Sequence, residues 1–152
     1  MTVPEDFWSQ LGQEASMLVL FMVLFVVAKA FKNLITPYDL HEELTGRDNL
    51  AVGVSVAGYY IAFVILFCGA YLGPSQGLLA DLALVGGYTL LGLVLLAVAR
   101  IINDRLILHS LPVAEALQKQ RNQAAGTLLG CNYIASALVV AGAIHGQGGG
   151  VI

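Results

Sequence analysis

Residues 50–72 read LAVGVSVAGYYIAFVILFCGAYL, a run without one charged side chain. A hydrocarbon core about 30 Å thick is crossed by roughly 20 apolar residues in helical form. Backbone polar groups in lipid must bond within their own segment, so a helix is the economical form for this stretch. Working outward, similar stretches fall at about 13–34 (containing EASMLVLFMVLFVVAKAF), 78–102 and 123–145. Four spans and their connections consume the 152 residues, leaving no length for a separate globular domain. The sequence thus predicts an all-α membrane protein of four transmembrane helices, forming one integral membrane domain over 1–152.

Composition agrees. Charged residues make up 11% of the chain and hydrophobic residues 58%, against roughly 25% charged in a soluble domain. A net charge of −3 offers no basic surface for nucleic acid and no acidic block that would keep the chain disordered. Cys68 and Cys131 both lie inside apolar runs, and His41, His109 and His145 are scattered singly, so neither a disulfide framework nor a metal site is expected. The N-terminus carries Glu5, Asp6 and Glu14 and no Lys or Arg before the first apolar run, unlike a cleavable signal peptide.

The seven Lys and Arg residues set the expected orientation. Lys29, Lys32 and Arg47 flank the first connection and Arg100, Arg105, Lys119 and Arg121 the third, while the N-terminus, the 73–77 connection and the tail have none. The positive-inside rule makes the first side cytoplasmic, with both termini on the external side. Lys29 and Arg100 sit just inside span ends, where a long stem lets the charge snorkel to the interface; an ion-pathway role is the competing reading. Glu14 and Asp81 open the first and third spans on the external side, where negative charge favours a helix start.

A displacement of 73 residues lays Glu42, Leu44, Asn49, Ala51, Gly53, Tyr60, Ile61, Ala62, Gly69, Ala70 and Gly73 on identical residues at 115, 117, 122, 124, 126, 133, 134, 135, 142, 143 and 146. The repetition marks two copies of a two-span unit, about 11–73 and 78–146. An even number of spans per copy inserts both in the same sense, giving parallel repeats about an axis along the membrane normal, with the second and fourth spans near it.

Small residues predict where helices meet. Gly53 and Ala57 in the second span, and Gly126, Gly130 and Gly142 in the fourth, recur at spacings that put small side chains on one face, so these five are the expected packing positions. Gly86, Gly87 and Gly92 in the third span mark a kink or a close crossing.

Few residues could carry chemistry. Asn49 and Asn122 precede the second and fourth spans and read as helix caps, or as a symmetric polar pair at an inner mouth. Asn132 beside Tyr133, opposite Tyr60 in the repeat, lies at membrane depth, and Asn132 is the expected interhelical hydrogen-bonding residue. Asn49, Asn122, Asn132, Tyr60 and Tyr133 are therefore the candidate pore-lining set. The connections opening at Thr36-Pro37 and Ser110-Leu111-Pro112 each predict a short interfacial helix capped by Ser or Thr. Leu40, Leu44, Leu111, Val113 and Leu117 would face inward, and Asp39, Glu42, Glu43, Glu115 and Lys119 water. These connections are solvated loops or docking sites for a cytoplasmic partner.

The cassette Asp48-Asn49-Leu50-Ala51-Val52-Gly53-Val54-Ser55-Val56-Ala57-Gly58, preceded by Thr36-Pro37-Tyr38-Asp39 and Glu42-Glu43-Leu44 and echoed by Asn122-Gln123-Ala124-Ala125-Gly126, resembles the YjfL-type domain-of-unknown-function family of bacterial inner-membrane proteins. The resemblance spans nearly the whole chain. It implies four spans from a duplicated unit and a role in envelope maintenance beside membrane-stress proteins, and it supplies no catalytic or binding residues. Thr127, Cys131 and Asn132 stand where the first copy has Val54, Gly58 and Tyr59, so the halves are not strictly equivalent.

No nucleophile–base pair, phosphate-binding loop or cofactor motif is present, so the chain reads as no enzyme, with no catalytic, cofactor-binding or metal-ligating residue. The leading expectation is a non-enzymatic membrane subunit that assembles with itself or with a membrane or cytoplasmic protein partner. The alternative is a small channel or carrier for ions or small solutes.

Overall fold

The computed structural model describes residues 6–102, 104–105 and 113–146. It contains α1 (Asp6–Ile35), a π turn (Glu42–Gly46), α2 (Leu50–Tyr71), α3 (Leu78–Ile102), a short α4 (Val113–Gln118) and α5 (Gln123–Gly146), with no strand among the described residues. Helices α1, α2, α3 and α5 are each long and apolar enough to cross a membrane. The chain is a multi-pass membrane protein.

The first helix begins some two turns earlier than the apolar run suggests, because Phe7, Trp8 and Leu11 continue its hydrophobic side through the polar Ser9, Gln10 and Gln13. Its 30 residues extend about 45 Å at 1.5 Å per residue, longer than the hydrocarbon core. Exposed Phe7 and Trp8 then fall at the level where aromatic side chains anchor spans.

The bundle is built around α2. Of the most apolar stretch of each helix, 56% is buried for α2 and 17% for α1. The principal interface joins α2 to α5. Gly126 lies against the Ala51 carbonyl, Gly58 against the Gly130 backbone, and Gly69 against Ala141. The partners differ by 72–75 in sequence number at both ends of the contact, so the two helices run parallel. Backbones approach this closely only where no side chain intervenes: a Cβ on Gly58 would stand 2.7 Å from the Gly130 carbonyl oxygen, and one on Gly69 2.6 Å from the Ala141 Cβ.

Gly126 and Gly130 thus face α2, but three of the five expected packing positions do not mediate this approach. Ala57 is exposed and the contact belongs to Gly58; Gly142 has open space beside it and the contact belongs to Ala141; Gly53 meets only the Leu44 side chain, at 3.7 Å. Small residues stand on more than one side of each helix, so spacing alone leaves the face uncertain by one position. In α3, Gly92 marks a close crossing, its open side filled by the Leu66 side chain from α2, whereas Gly87 has open space.

Helix α1 docks on α2 through aromatic rings. Phe21 meets Phe63 and Phe67 at centroid distances of 5.4 and 5.1 Å, and Phe25 meets Tyr60 and Phe63 at 5.1 and 5.8 Å. Such pairs contribute about 0.5–1.5 kcal/mol each beyond the area they cover. With Leu66, Leu93, Leu96, Leu129 and Ala137 they form a continuous apolar layer across the middle of the bundle.

Candidate functional site

Helix directions collect the α1–α2 connection, the end of α3, α4 and the start of α5 at one end of the bundle, the loop end. The N-terminal part of α1 and the α2–α3 turn meet at the other, where the Tyr71 hydroxyl on α2 donates to the Glu14 carboxylate on α1 at 2.8 and 3.0 Å. This turn end holds a cleft of about 1000 Å³, lined by Gln13, Glu14, Tyr71, Ser75, Asp81 and Tyr88 among others. Asp81 accepts from the Ser75 hydroxyl at 2.6 Å and the Gln76 N–H at 2.8 Å, closing the first turn of α3 as expected of an acid at a helix start.

At the loop end, the two Asn residues serve as helix caps. Asn49 Oδ1 accepts from the Val52 N–H at 3.4 Å, and Asn122 Oδ1 from the Ala124 and Ala125 N–H groups at 3.0 and 3.3 Å. The turn leading into each is alike: Asp48 and Arg121 have φ of 46° and 49°, and the Asn49 and Asn122 N–H groups donate to the Glu43 and Ala116 carbonyls at 2.9 and 3.0 Å.

Their side chains then diverge. Asn49 is buried, and its amide donates to Glu43 Oε2 and to the Leu117 carbonyl, both at 2.9 Å, tying one connection to the other. Asn122 is exposed, and Ala116, 73 positions after Glu43, offers no carboxylate. The two therefore form no symmetric polar pair.

Glu43 departs from the expected solvated face. It is 2% exposed, because Leu40 and Leu44 fold the π turn against the bundle and carry the carboxylate with them. The hydrogen bond from Asn49 holds its carboxyl below the usual carboxylate range, against the opposing effect of burial, with help from Gln118, Arg47 and Arg121. Arg47 Nη1 completes the latch at 3.0 Å. Burial pushes the Tyr38 phenol above its ordinary value.

A carboxyl depressed in the folded state contributes stability that is complete above its unfolded value, about 4.3, and is lost as pH falls through the lower folded value. Thermal unfolding of the wild type in detergent is expected to show stability falling below about pH 4, with Glu43→Gln flattening that limb and Glu42→Gln, at an exposed neighbour, leaving it in place. An unchanged acid limb in Glu43→Gln would remove the latch from the account.

Thr36 is not a cap; its hydroxyl donates back to the Lys32 carbonyl at 2.8 Å, and Asp39 Oδ1 accepts the His41 and Glu42 N–H groups instead. The second connection has its helix at α4, with Val113 and Leu117 buried and Glu115 and Lys119 exposed; Ser110, Leu111 and Pro112 lie outside the described residues.

The densest polar cluster lies between the spans at this end. Lys32, 2% exposed, donates to the Tyr133 hydroxyl at 2.9 Å, with its ammonium 4.5 Å from the Tyr133 ring centroid and 5.0 Å from that of Tyr59. The two rings meet edge to face at 5.5 Å, and the Tyr59 hydroxyl donates to the Ala28 carbonyl at 2.9 Å. Arg100 is 9% exposed, its side chain covered by the bundle, whereas Lys29 is exposed. Arg100 Nε stands 3.5 Å from Asp104 Oδ2, while Arg100 Nη1 and Asp104 Oδ1 are buried without a partner among the described residues. The interhelical bond expected of Asn132 is made by its neighbour Tyr133; Asn132 is half-buried and its side chain makes no hydrogen bond among the described residues, and Tyr60 packs on Phe25.

From the sequence alone Lys32 and Tyr59 take no role in a site, while Arg100 reads as snorkelling or as part of an ion pathway and Glu43 as solvated. The legible signal was the placement of Lys32 and Arg100 within the last turn of their helices, on the same side as core residues Ala28 and Leu96.

No curated protein and no solved structure matches the chain. The family model described as Domain of Unknown Function (DUF350) matches residues 6–144, covering all four spans and both loop-end caps. The match carries the paired turns, the α2–α5 seam and the buried Lys32 cluster within its bounds, and the chain belongs to the DUF350 family.

Proposed function

We propose that the chain is a non-enzymatic protein of the bacterial inner membrane, with both termini external, that acts as an assembling subunit in envelope maintenance. The observation that carries self-assembly is the outer face of α5, where Thr127, Cys131 and Ala135 recur every four residues and all are exposed. In lipid there is no hydrophobic drive between helices, and small residues at this spacing let backbones close together. The seven cations gathered at the loop end support the orientation. The recurrence of the capped turn at a 73-residue displacement supports descent from a duplicated two-span unit. Envelope maintenance rests on the family resemblance.

A channel within one subunit is the second reading, and the mid-bundle layer argues against it. Phe63, Leu66, Leu93, Leu96 and Ala137 separate the loop-end cluster from the turn-end cleft, with Thr89 as a buried polar side chain in between. One reconstitution tests both readings. In liposomes, Thr127→Leu and Ala135→Leu are expected to weaken association about tenfold by energy-transfer dilution, or about 1.4 kcal/mol, because a bulky side chain blocks the approach of backbones. Potassium or proton flux is expected to stay at the protein-free level. Association indifferent to both substitutions overturns the subunit reading; flux abolished by Tyr133→Phe or Asn132→Leu promotes the channel.

A further inference from the structure

The Lys32 cluster holds more positive charge than its carboxylate balances. Two cations at least nine-tenths buried, Lys32 and Arg100, stand within electrostatic reach of each other and, among the described residues, of one acid, Asp104. Asp104 is 30% exposed along its side chain and meets Arg100 only at 3.5 Å. Even a complete Arg100–Asp104 pair would leave the Lys32 ammonium with a phenol and two ring faces. Burying an unpaired charge is costly, and such charges in proteins are paired, neutralised or functional.

The donors are also unspent. Lys32 has three N–H groups and the Tyr133 hydroxyl takes one. That hydroxyl, having accepted, keeps its own proton to donate, and the Arg100 guanidinium stands near enough to act on it electrostatically. Arg100 Nη1 is buried and without a partner among the described residues. The Tyr59 hydroxyl is already committed to the Ala28 carbonyl, so it confines Lys32 without competing for a ligand.

Depth identifies the ligand chemistry. Arg100 and Lys32 are two and three residues from the ends of α3 and α1, about 3–5 Å along the axis, at the level where a bilayer places its headgroup phosphates. We infer that Lys32, Arg100 and the Tyr133 hydroxyl form a binding site for a phosphate-class anion between α1, α3 and α5. The anion supplies the missing negative charge and accepts from all three groups, the guanidinium in the forked geometry that suits phosphate. Two sources share this chemistry: the headgroup of an anionic phospholipid in the loop-end leaflet, and a free inorganic phosphate.

Full-length protein in mild detergent is titrated separately with inorganic phosphate and with phosphatidylglycerol, with phosphatidylcholine as the uncharged-balance control. Thermal unfolding and native mass spectrometry are the readouts. Wild type is expected to unfold at higher temperature, and to retain a bound molecule, with phosphatidylglycerol over phosphatidylcholine if the source is lipid, or with inorganic phosphate if it is a free anion. Arg100→Gln and Lys32→Met are each expected to weaken retention at least about tenfold, the worth of one charge-assisted hydrogen bond. Lys29→Gln, at an exposed cation on the same helix, is expected to retain the wild-type response. Wild type that responds to neither probe beyond phosphatidylcholine overturns the site, and needs no variant to fold; retention lost equally in Lys29→Gln reduces it to general surface charge.

Discussion

Gly58→Ala and Gly126→Ala are each expected to destabilise the bundle by about 3 kcal/mol or more, although each adds a single methyl group. The added Cβ would strike backbone in both cases, the Gly130 carbonyl in one and the Ala51 carbonyl in the other. A clash with a side chain is relieved by a rotamer change, whereas a clash with backbone moves the helix, and α2 cannot shift from α5 without opening the interface along its length. Gly142→Ala lies on the same helix with nothing near its added methyl. Removing a helical glycine there is expected to be neutral or stabilising by about 0.5–1 kcal/mol. Thermal unfolding in detergent of the three variants side by side checks the ordering; equal stability of Gly126→Ala and Gly142→Ala would mean the helices do not meet on this face.

Asn49→Ala is expected to cost about 3 kcal/mol and Asn122→Ala about 1 kcal/mol, although each caps a helix behind a similar turn. Both lose a helix cap, worth about 1 kcal/mol. Only Asn49 also donates to the Leu117 carbonyl and to the Glu43 carboxylate, and buried acceptors left short of a donor cost about 1–3 kcal/mol more. Chemical or thermal unfolding of the two variants gives the comparison directly. Equal losses would place Glu43 and Leu117 in water.

Much of this was legible because the bilayer imposes few solutions. The uncharged run at 50–72 and its three companions specify four helices, and the Asn49 and Asn122 caps follow from an amide placed just before an apolar run. What the sequence hid was the direction of individual side chains. Glu43 reads as solvated because an acid in a connection usually is, yet Leu40 and Leu44 on the same turn draw it inward. Arg100 reads as snorkelling because its stem could reach the interface, but Asp104 one turn further on gives the guanidinium a reason to stay. The assignment of Ala57 rather than Gly58 reflects a helix with small residues on adjacent faces, where only the partner backbone decides which is used.

The parallel seam between α2 and α5 also fixes the order in which the protein can mature. Residues 72–146 separate the end of one helix from the end of the other, a stretch that takes about 4–15 s to synthesise at about 5–20 residues per second. Through that interval α2 stands in the bilayer with the backbone at Gly58 and Gly126's future seat at Ala51 bare, and with the Leu117 carbonyl not yet made for Asn49 to hold. Aromatic docking of α1 shelters the opposite side of α2 from the start. A nascent chain arrested after its second span is therefore a pair of helices joined by aromatic rings, with the surface that later receives α5 still open.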